Sequence, residues 1–512
     1  MSVPPPSARP LPPFPNLEQQ KKQARELLRE AQAQAPAALA RIQAQLPHLS
    51  HHTASPGDAK VIRLHDTQLV IAREYGFSTW ALFKTHIEKQ MALRFTRPFV
   101  RETAYYDERA HGLVSMHASG LPNALAQIRE WHPGFDGASD EAIRSTAFTL
   151  DDARLVYARE HGYENWDRFM AQVRTLAKTG TPEPFLDAFE AMRKQDFAGF
   201  RRLIQSHPDL ARARGTNGNT LLNLACSLLC GGAIARTIPE TEIRAGFDLL
   251  LRAGADVNAA NDRGWTPLHQ AAYSNNPMVA DLLVRAGAST EAEAHGRGGT
   301  PLAVALFWGH REVSDRLAIS GISPRNLRVA AGLGRTDLLE SMFSPADGLK
   351  PEAMANREFY RPHSGFPVWR PSNDMQEVLD ESLVWAAKSD RVEAMEILVS
   401  HGARVNADPY RGTPLLWAAA NNRCLSAQWL LGHGAEVNQQ ATFGGFSHGR
   451  GVTALHLAAQ SNHLDMTRIL VEAGANLGLT EDNYQSTAQG WAEHFDSKEV
   501  LAYLKAQTSN PR

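Results

Sequence analysis

A pattern of two short apolar helices and a turn recurs through the C-terminal part of this 512-residue chain and limits the folds that it can adopt. The turn glycines Gly254 and Gly287 are 33 residues apart, and Gly402 and Gly434 are 32 apart. One such hairpin cannot bury its own apolar faces, so successive hairpins must stack. The sequence therefore predicts an all-α fold, an α-solenoid whose core grows along one axis. The pattern is read in GWTPLHQAA from Gly264, GTPLAVAL from Gly299, GTPLLWAA from Gly412 and GVTALHLAA from Gly451.

The residue types of this motif suit the ends of short helices. Thr266 can accept a hydrogen bond from a free amide of the first turn, and Pro267 loses nothing at the first helical position. Gly287 suits the positive φ with which the second helix would end. The motif resembles the ankyrin repeat, with its 33-residue period and its T-P-L-H-x-A signature. The resemblance is to bacterial members of the ankyrin repeat family and covers about residues 184–507.

The resemblance implies how the C-terminal part of the chain is organised. We expect an ankyrin repeat domain over residues 181–512, with about nine units and a C-terminal capping hairpin at 486–508. Three insertions interrupt the regular spacing, near residues 230–240, 345–373 and 441–450.

A different repetition occupies the N-terminal part. The segment LVIAREYGFSTW (69–80) returns as LVYAREHGYENW (155–166), 86 residues later. Without gaps, residues 36–83 match residues 122–169 at 16 positions, where average composition would give about three. We interpret this as a duplicated helical building block, each copy containing two ankyrin-like hairpins.

The duplication predicts two helical units, copy 1 at residues 17–100 and copy 2 at 101–180, after a proline-rich arm at 1–16. Trp80 and Trp166 are expected to be largely buried packing residues at equivalent positions; a pair of binding aromatics is the alternative. Each copy also contains an adjacent arginine and glutamate, which we interpret as an ion pair that holds the copy together: Arg73–Glu74 and Arg159–Glu160.

Charge and composition exclude several kinds of partner. The net charge of −2 and the pI near 6.9 argue against nucleic acid or an anionic membrane surface as the main partner. No apolar run approaches the roughly 20 residues that span a bilayer, and the start of the chain lacks the pattern of a signal peptide. Three cysteines are too few for a disulfide framework. We therefore expect a cytoplasmic protein.

Catalytic motifs are missing from the sequence, although the chain has 20 histidines. We find no phosphate-binding glycine loop, no G-x-S-x-G and no HExxH. The resemblance assigns His269 and His456 a structural role, hydrogen bonding to the threonine of the motif. The cluster His48, His51 and His52 lacks carboxylates and is a weak metal candidate. We expect no enzyme activity, no cofactor and no metal.

The resemblance places partner contacts on the exposed loops and on the inner face of the first helix of each repeat. Tryptophan, tyrosine and arginine dominate the hot spots of protein interfaces. Phe307 and Trp308 could instead pack against a neighbouring repeat or the long insertion. The motif positions also include Ser274, Lys388, Ser389 and Ser461. The predicted contact residues of the repeats are Arg263, Trp265, Tyr273, Arg297, Phe307, Trp308, Tyr410, Asn421, Arg450 and Gln460.

The insertion NREFYRPHSGFPVWRP (356–371) is rich in aromatic and arginine residues. We predict an ordered loop, and either a binding site for an acidic or extended peptide or a structural plug; its predicted contact residues are Tyr360, Arg361 and Trp369. An enzyme site there, using Arg361, His363 and Arg370, is a rival hypothesis without a nucleophile–base pair.

Taken together, the sequence predicts a monomeric scaffold or adaptor that binds a protein partner of unknown identity. A regulatory subunit of a separately encoded enzyme is the alternative. Because one fold can carry many functions, the protein-binding role rests on the family resemblance.

Overall fold

The computed structural model describes residues 17–47, 62–91, 95–178, 183–229, 238–319, 326–344, 348–359, 371–409, 412–441 and 450–509. Contacts between residues divide the chain into two compact units. The first unit comprises Met1–Ala225 and Pro239–Asp256, and the second comprises Cys226–Ile238 and Val257–Arg512. In both units the described residues are mostly helical, as the sequence predicts.

Thirteen helices lie between residues 17 and 252 in the described part of the chain. Two short strands, β1 (Thr96–Arg97) and β2 (Arg214–Gly215), pair in parallel and join the linker after the fourth helix to the loop before the twelfth. The helices are α1 (Leu17–Gln32), α2 (Pro36–Gln45), α3 (Leu64–Glu74), α4 (Trp80–Met91), α5 (Thr103–Ala118), α6 (Pro122–Trp131), α7 (Asp140–Ser145), α8 (Leu150–Glu160), α9 (Trp166–Leu176), α10 (Pro184–Arg193), α11 (Phe197–Ser206), α12 (Leu221–Leu228) and α13 (Glu240–Arg252).

The two N-terminal segments contain helices at matching positions. Helices α1, α2, α3 and α4 begin 86 residues before α5, α6, α8 and α9. The packing also matches, because α3 contacts α1, α2 and α4 while α8 contacts α5, α6 and α9. Gly76 and Gly162 follow α3 and α8 with φ values of 83° and 84°, a conformation that only glycine adopts without strain.

The predicted arginine–glutamate pairs are wrong in their partners. Glu74 binds Arg41 through two hydrogen bonds of 2.9 Å, and Arg73 donates to a backbone carbonyl instead. In the second segment Glu160 is buried and accepts a 2.9 Å bond from Gln127, the residue 86 positions after Arg41. Adjacent residues on a helix point in different directions, so they seldom pair with each other.

Trp80 and Trp166 lie at equivalent places but are half-buried rather than largely buried. Each is the first residue of its helix and contacts the phenylalanine three residues later edge to face. The ring centroids of Trp80 and Phe83 are 5.5 Å apart, and those of Trp166 and Phe169 are 5.8 Å apart. Both tryptophans therefore serve as packing residues at the edge of a core.

Seven helical hairpins follow one another in the described residues of the second unit. The first helix of each hairpin, here called the inner helix, packs on the inner helix of the next. The helices are α14 (Pro267–Tyr273), α15 (Pro277–Arg285), α16 (Pro301–Phe307), α17 (Arg311–Ile319), α18 (Leu327–Leu333), α19 (Thr336–Ser341), α21 (Met375–Lys388), α22 (Val392–Ser400), α23 (Pro414–Ala420), α24 (Cys424–Gly432), α25 (Ala454–Gln460), α26 (Leu464–Glu472), α27 (Ala488–His494) and α28 (Lys498–Ser509), with α20 (Pro351–Met354) in the insertion.

Threonine stands at the N-cap of five of the seven inner helices described, as the motif predicts, while Asn326 and Asp374 cap α18 and α21. The Thr266 hydroxyl accepts from the His269 amide, and the His269 ring lies 2.8 Å from the same hydroxyl. The other ring nitrogen of His269 lies 2.9 Å from the carbonyl of Gly299 in the next hairpin. His456 repeats this arrangement with Thr453 and Ser486. The predicted structural role of both histidines is therefore confirmed.

The long insertion is anchored on both sides of its middle part. Two short antiparallel strands, β3 (Phe343–Ser344) and β4 (Gly348–Leu349), precede α20. Arg357 and Phe359 are then almost fully buried. Residues 360–370, which include the predicted Tyr360, Arg361, His363, Trp369 and Arg370, lie outside the described residues.

Other predictions also concern residues outside the described ranges. These are the proline-rich arm at 1–16, His48, His51 and His52, most of the insertion at 230–240, Tyr410, and residues 442–449 of the last insertion. Among the helices that the structure describes, none has both the length and the apolar character needed to cross a bilayer.

Candidate functional site

Six aromatic side chains from four inner helices and one adjoining loop form what we call the aromatic row. The ring centroids of Trp265 and Tyr273 are 5.7 Å apart, and Tyr273 lies 5.5 Å from Trp308 on the next hairpin. Trp308 contacts Phe307 at 5.3 Å. Phe307 in turn lies 6.4 Å from the ring centroids of both remaining members, so the ring contacts are continuous from the first to the fifth hairpin. The members are Trp265, Tyr273, Phe307, Trp308, Trp385 and Trp417.

Lys388 lies at the centre of three of these rings. Its Nζ is 4.2 Å from the ring centroid of Trp417, 4.9 Å from that of Phe307 and 5.4 Å from that of Trp385. The same atom donates a 3.0 Å hydrogen bond to the Phe307 carbonyl. Rings attract a cation through their negative faces. Lys388 therefore holds together side chains from three hairpins while being only 2% exposed.

A buried cluster of ion pairs contacts the aromatic row at Trp385. Arg328 lies over the Trp385 ring, 4.6 Å from its centroid, and donates a 2.6 Å bond to Glu381. Arg357 donates a 2.7 Å bond to the other oxygen of Glu381 and also binds Glu377 at 3.1 Å. A buried carboxylate between two guanidinium groups has both oxygens paired, which is the condition for burying charge without a large penalty.

Side chains from later hairpins cap the carbonyl ends of earlier inner helices. His310 binds the Tyr273 carbonyl at 3.0 Å. Arg423 donates to the carbonyls of Gly309, at 2.5 Å, and Lys388, at 3.0 Å. Burial lowers the pKa of His310 to about 4 and also lowers the pKa of Arg423. These bonds fix the carbonyl ends of α14, α16 and α21, which carry or adjoin Tyr273, Trp308 and Lys388.

The predicted contact residues differ in exposure. Arg263, Arg297 and Arg450 are exposed, whereas Tyr273, Ser274, Trp308, Asn421 and Gln460 are half-buried. All of these can reach a partner without unfolding.

Four predicted positions are instead part of the packing. Trp265 and Phe307 are 4% and 2% exposed, and Lys388 and Ser389 are buried as well. Phe307 contacts Phe359 of the insertion at 5.7 Å, in agreement with the alternative that it packs against the insertion. Trp265 is covered because the rings of His269, Tyr273 and His295 surround it.

Sequence reasoning missed four members of the site: Trp385, Trp417, Arg328 and Glu381. A local signal existed for the tryptophans, because both precede two alanines at the same position of consecutive inner helices. No such signal marks Arg328 and Glu381, since their pairing joins residues 53 apart.

Metal chemistry finds no support at this site. In the ranges that the structure describes, no group of three or more histidine, cysteine, aspartate or glutamate side chains is placed to hold a metal ion. The arrangement offers instead rigid aromatic surfaces and hydrogen-bonding groups.

Three segments of the chain match family models of ankyrin repeats. Residues 242–326 and 371–441 match the family model for ankyrin repeats in three copies, and residues 450–482 match the model for the single ankyrin repeat. The chain therefore carries ankyrin repeats between residues 242 and 482, as the resemblance predicts.

The similar curated proteins match over short stretches. Ankyrin repeat and SOCS box protein 16 of Mus musculus is 38% identical over 103 residues, which is 20% of this chain and 21% of that protein. Its Homo sapiens counterpart is 39% identical over 93 residues, covering 18% and 19%. RelA-associated inhibitor of Mus musculus is 42% identical over 55 residues, covering 11% and 7%. The chain thus spans about a fifth or less of these relatives.

Proposed function

We propose that this chain, whose ankyrin repeats are now established, is a non-catalytic scaffold or adaptor that binds a protein partner through the aromatic row. The observation that carries the proposal is the exposure of Tyr273, Trp308 and Trp417. Tyr273 and Trp417 lie on two inner helices of the second unit and Trp308 directly follows a third, and these three half-buried rings belong to one connected cluster. Such a surface suits an extended segment that crosses several repeats.

Rigidity makes these rings good contacts. Tyrosine and tryptophan offer large contact areas and lose little conformational entropy on binding when they are already held in place. Here the carbonyl at the end of the Tyr273 helix is fixed by His310, and the Trp417 ring is held against Lys388. Arg263 and Arg297, in the loops before the first two inner helices, add exposed positive charge. A partner segment with acidic residues would complement them.

The names of the similar proteins fit a binding role, since RelA-associated inhibitor is named for an association with another protein. A regulatory subunit of a separately encoded enzyme would use the same surface and remains the second candidate. We also propose that the protein acts as a monomer in the cytoplasm.

The N-terminal segments are proposed to be two copies of one ancestral helical block. The support is the common offset of 86 residues in four helices, together with the shared contacts of Trp80 and Trp166.

The test of the binding function compares partner capture by two double variants of the full-length protein. Tyr273→Ala with Trp308→Ala should weaken capture of a specific native-lysate protein, identified by mass spectrometry. Each hot spot should contribute on the order of 2 kcal/mol, about thirtyfold in affinity. The matched control changes Leu425 and Tyr484, which are 61% and 67% exposed and lie outside the aromatic row, to alanine.

Equal capture by both double variants and the wild type would contradict the aromatic row as the binding site. Circular dichroism and thermal midpoints of all three proteins show whether the inner-helix substitutions disturb the fold. A loss of capture counts only where the helical signal is unchanged.

A further inference from the structure

A cavity of about 210 Å³ lies in the first unit. The first N-terminal segment contributes Phe77 and Leu82 to its lining. The linker contributes Phe95, and the second segment contributes Trp131 and Arg159 among others. Four of the ten lining residues are aromatic, and one, Arg159, carries a guanidinium group.

The aromatic lining is held in place by the fold. The ring centroids of Phe95 and Trp131 are 5.8 Å apart, and Phe77 packs on Phe83 at 5.2 Å. The guanidinium carbon of Arg168 also lies over the Phe77 ring, 5.8 Å from the ring centroid. The Arg168 guanidinium also donates a 3.3 Å bond to the Tyr75 carbonyl. The lining is therefore preorganised rather than free to collapse into the space.

Arg159 is the unusual group in this lining. Its Nε is buried and has no hydrogen-bond partner within the described residues. At the matching position of the first segment, Arg73 donates a 2.6 Å bond to the Gln45 carbonyl. The residue 86 positions after Gln45 is Trp131, which lines the cavity. A buried donor without a partner costs free energy that a suitable acceptor would recover.

The chemistry of the lining selects one class of ligand. Stacked rings favour a flat apolar body, and a guanidinium prefers a carboxylate, which can accept two of its hydrogen bonds. The volume is below that of cavities for drug-sized ligands, so one or two fused rings fit it. Glu130 and Glu164, both exposed, also line the cavity and disfavour a ligand with several negative charges.

We propose that this cavity binds a small aromatic monocarboxylate, with its carboxylate on Arg159 and its ring between Phe77, Phe95 and Trp131. The site is separate from the aromatic row, and neither proposal depends on the other.

The test titrates the full-length protein with indole-3-acetate and with the uncharged indole-3-acetamide, using isothermal titration calorimetry. The acid should bind saturably and about ten- to hundredfold more tightly than the amide, because a hydrogen bond to a charged group is among the stronger ones. In Arg159→Gln this preference should disappear. Arg73→Gln is the matched control and should bind like the wild type.

A second variant keeps the test decisive if Arg159→Gln folds poorly. Leu82 is 49% exposed and lines the cavity, so Leu82→Trp should fill the space without disturbing the core. It should abolish binding of the acid while the thermal midpoint stays unchanged. The proposal is overturned if the wild type shows no saturable binding of the acid or binds acid and amide equally. It is also overturned if folded Arg159→Gln or Leu82→Trp binds the acid as the wild type does.

Discussion

His269 is buried and His310 half-buried in the second unit, and His161 is buried in the first. The ring of each donates a hydrogen bond to a backbone carbonyl. Burial lowers the pKa of each of them to about 4, because the charged imidazolium would lose its hydration. At this scale the neutral histidines stabilise the fold through hydrogen bonds, and at acidic pH the same side chains lower the free energy of unfolding.

Acid should therefore destabilise the protein before most carboxylates titrate. In the unfolded chain a histidine has a pKa of about 6.5. Below that pH the unfolded state therefore binds protons, while the folded-state histidines stay neutral until the pH approaches 4. The contribution of these histidines to the free energy of unfolding is complete above pH 6.5 and falls as the pH approaches 4, by up to about 3 kcal/mol for each histidine. The thermal midpoint measured between pH 7 and pH 5 should fall steadily.

His310→Gln provides the comparison, because a glutamine can still donate to the Tyr273 carbonyl but does not titrate. Its thermal midpoint should fall less steeply over the same pH range. A profile parallel to that of the wild type would show that His310 does not contribute to the acid sensitivity.

At the scale of helices and loops, one buried carboxylate ties an insertion to the stack. Glu381 on α21 accepts from Arg328 on α18 and from Arg357 in the insertion. Both guanidinium groups are almost fully buried, so the attachment of the insertion to α18 and α21 depends on the negative charge of Glu381 between them. The part of the insertion around Arg357 is therefore bound to the stack by ion pairs.

Glu381→Gln should accordingly be strongly destabilising. It preserves the shape of the side chain but removes the buried negative charge that Arg328 and Arg357 share, while Arg357 keeps its pair with Glu377. We expect a cost of about 3–5 kcal/mol. Glu377→Gln is the control, because Glu377 is more exposed and accepts from only one of the two arginines. Urea unfolding followed by circular dichroism measures both. Similar midpoints for the two variants would mean that the cluster is not held by charge.

At the scale of the whole molecule, local features of the sequence predict more than distant contacts do. Thr266 and Gly287 could be placed from their own neighbours, because a cap and a turn involve only a few consecutive residues. The burial of Lys388 could not, since its acceptor is the carbonyl of a residue 81 positions earlier. In the same way, Arg73 and Glu74 are adjacent in sequence but bind different partners. Of the candidate site, the motif offsets located Tyr273 and Trp308 but not the tryptophans that complete the row.

Deletion of residues 486–512 should destabilise the second unit beyond the loss of the residues themselves. Trp491, Val500 and Leu504 of the last hairpin are buried, and α27 covers the inner helix α25. Terminal repeats protect the apolar face of the repeat before them. Size-exclusion chromatography should show association, and circular dichroism a lower thermal midpoint. Deletion of 510–512 alone is the control, and identical behaviour of the two truncations would contradict the capping role.

Some of the bonds described above bypass a hairpin. Lys388 donates to the Phe307 carbonyl, and Arg423 donates to the Gly309 carbonyl 114 positions earlier, so both bonds bypass the short third hairpin, which contains α18 and α19. An array held only by neighbouring contacts comes apart under tension one repeat at a time. Here a force that stretches the chain would have to break these hydrogen bonds before the hairpins between them could unfold. The second to fifth hairpins would then unfold as a single block, with one long extension in place of several short ones.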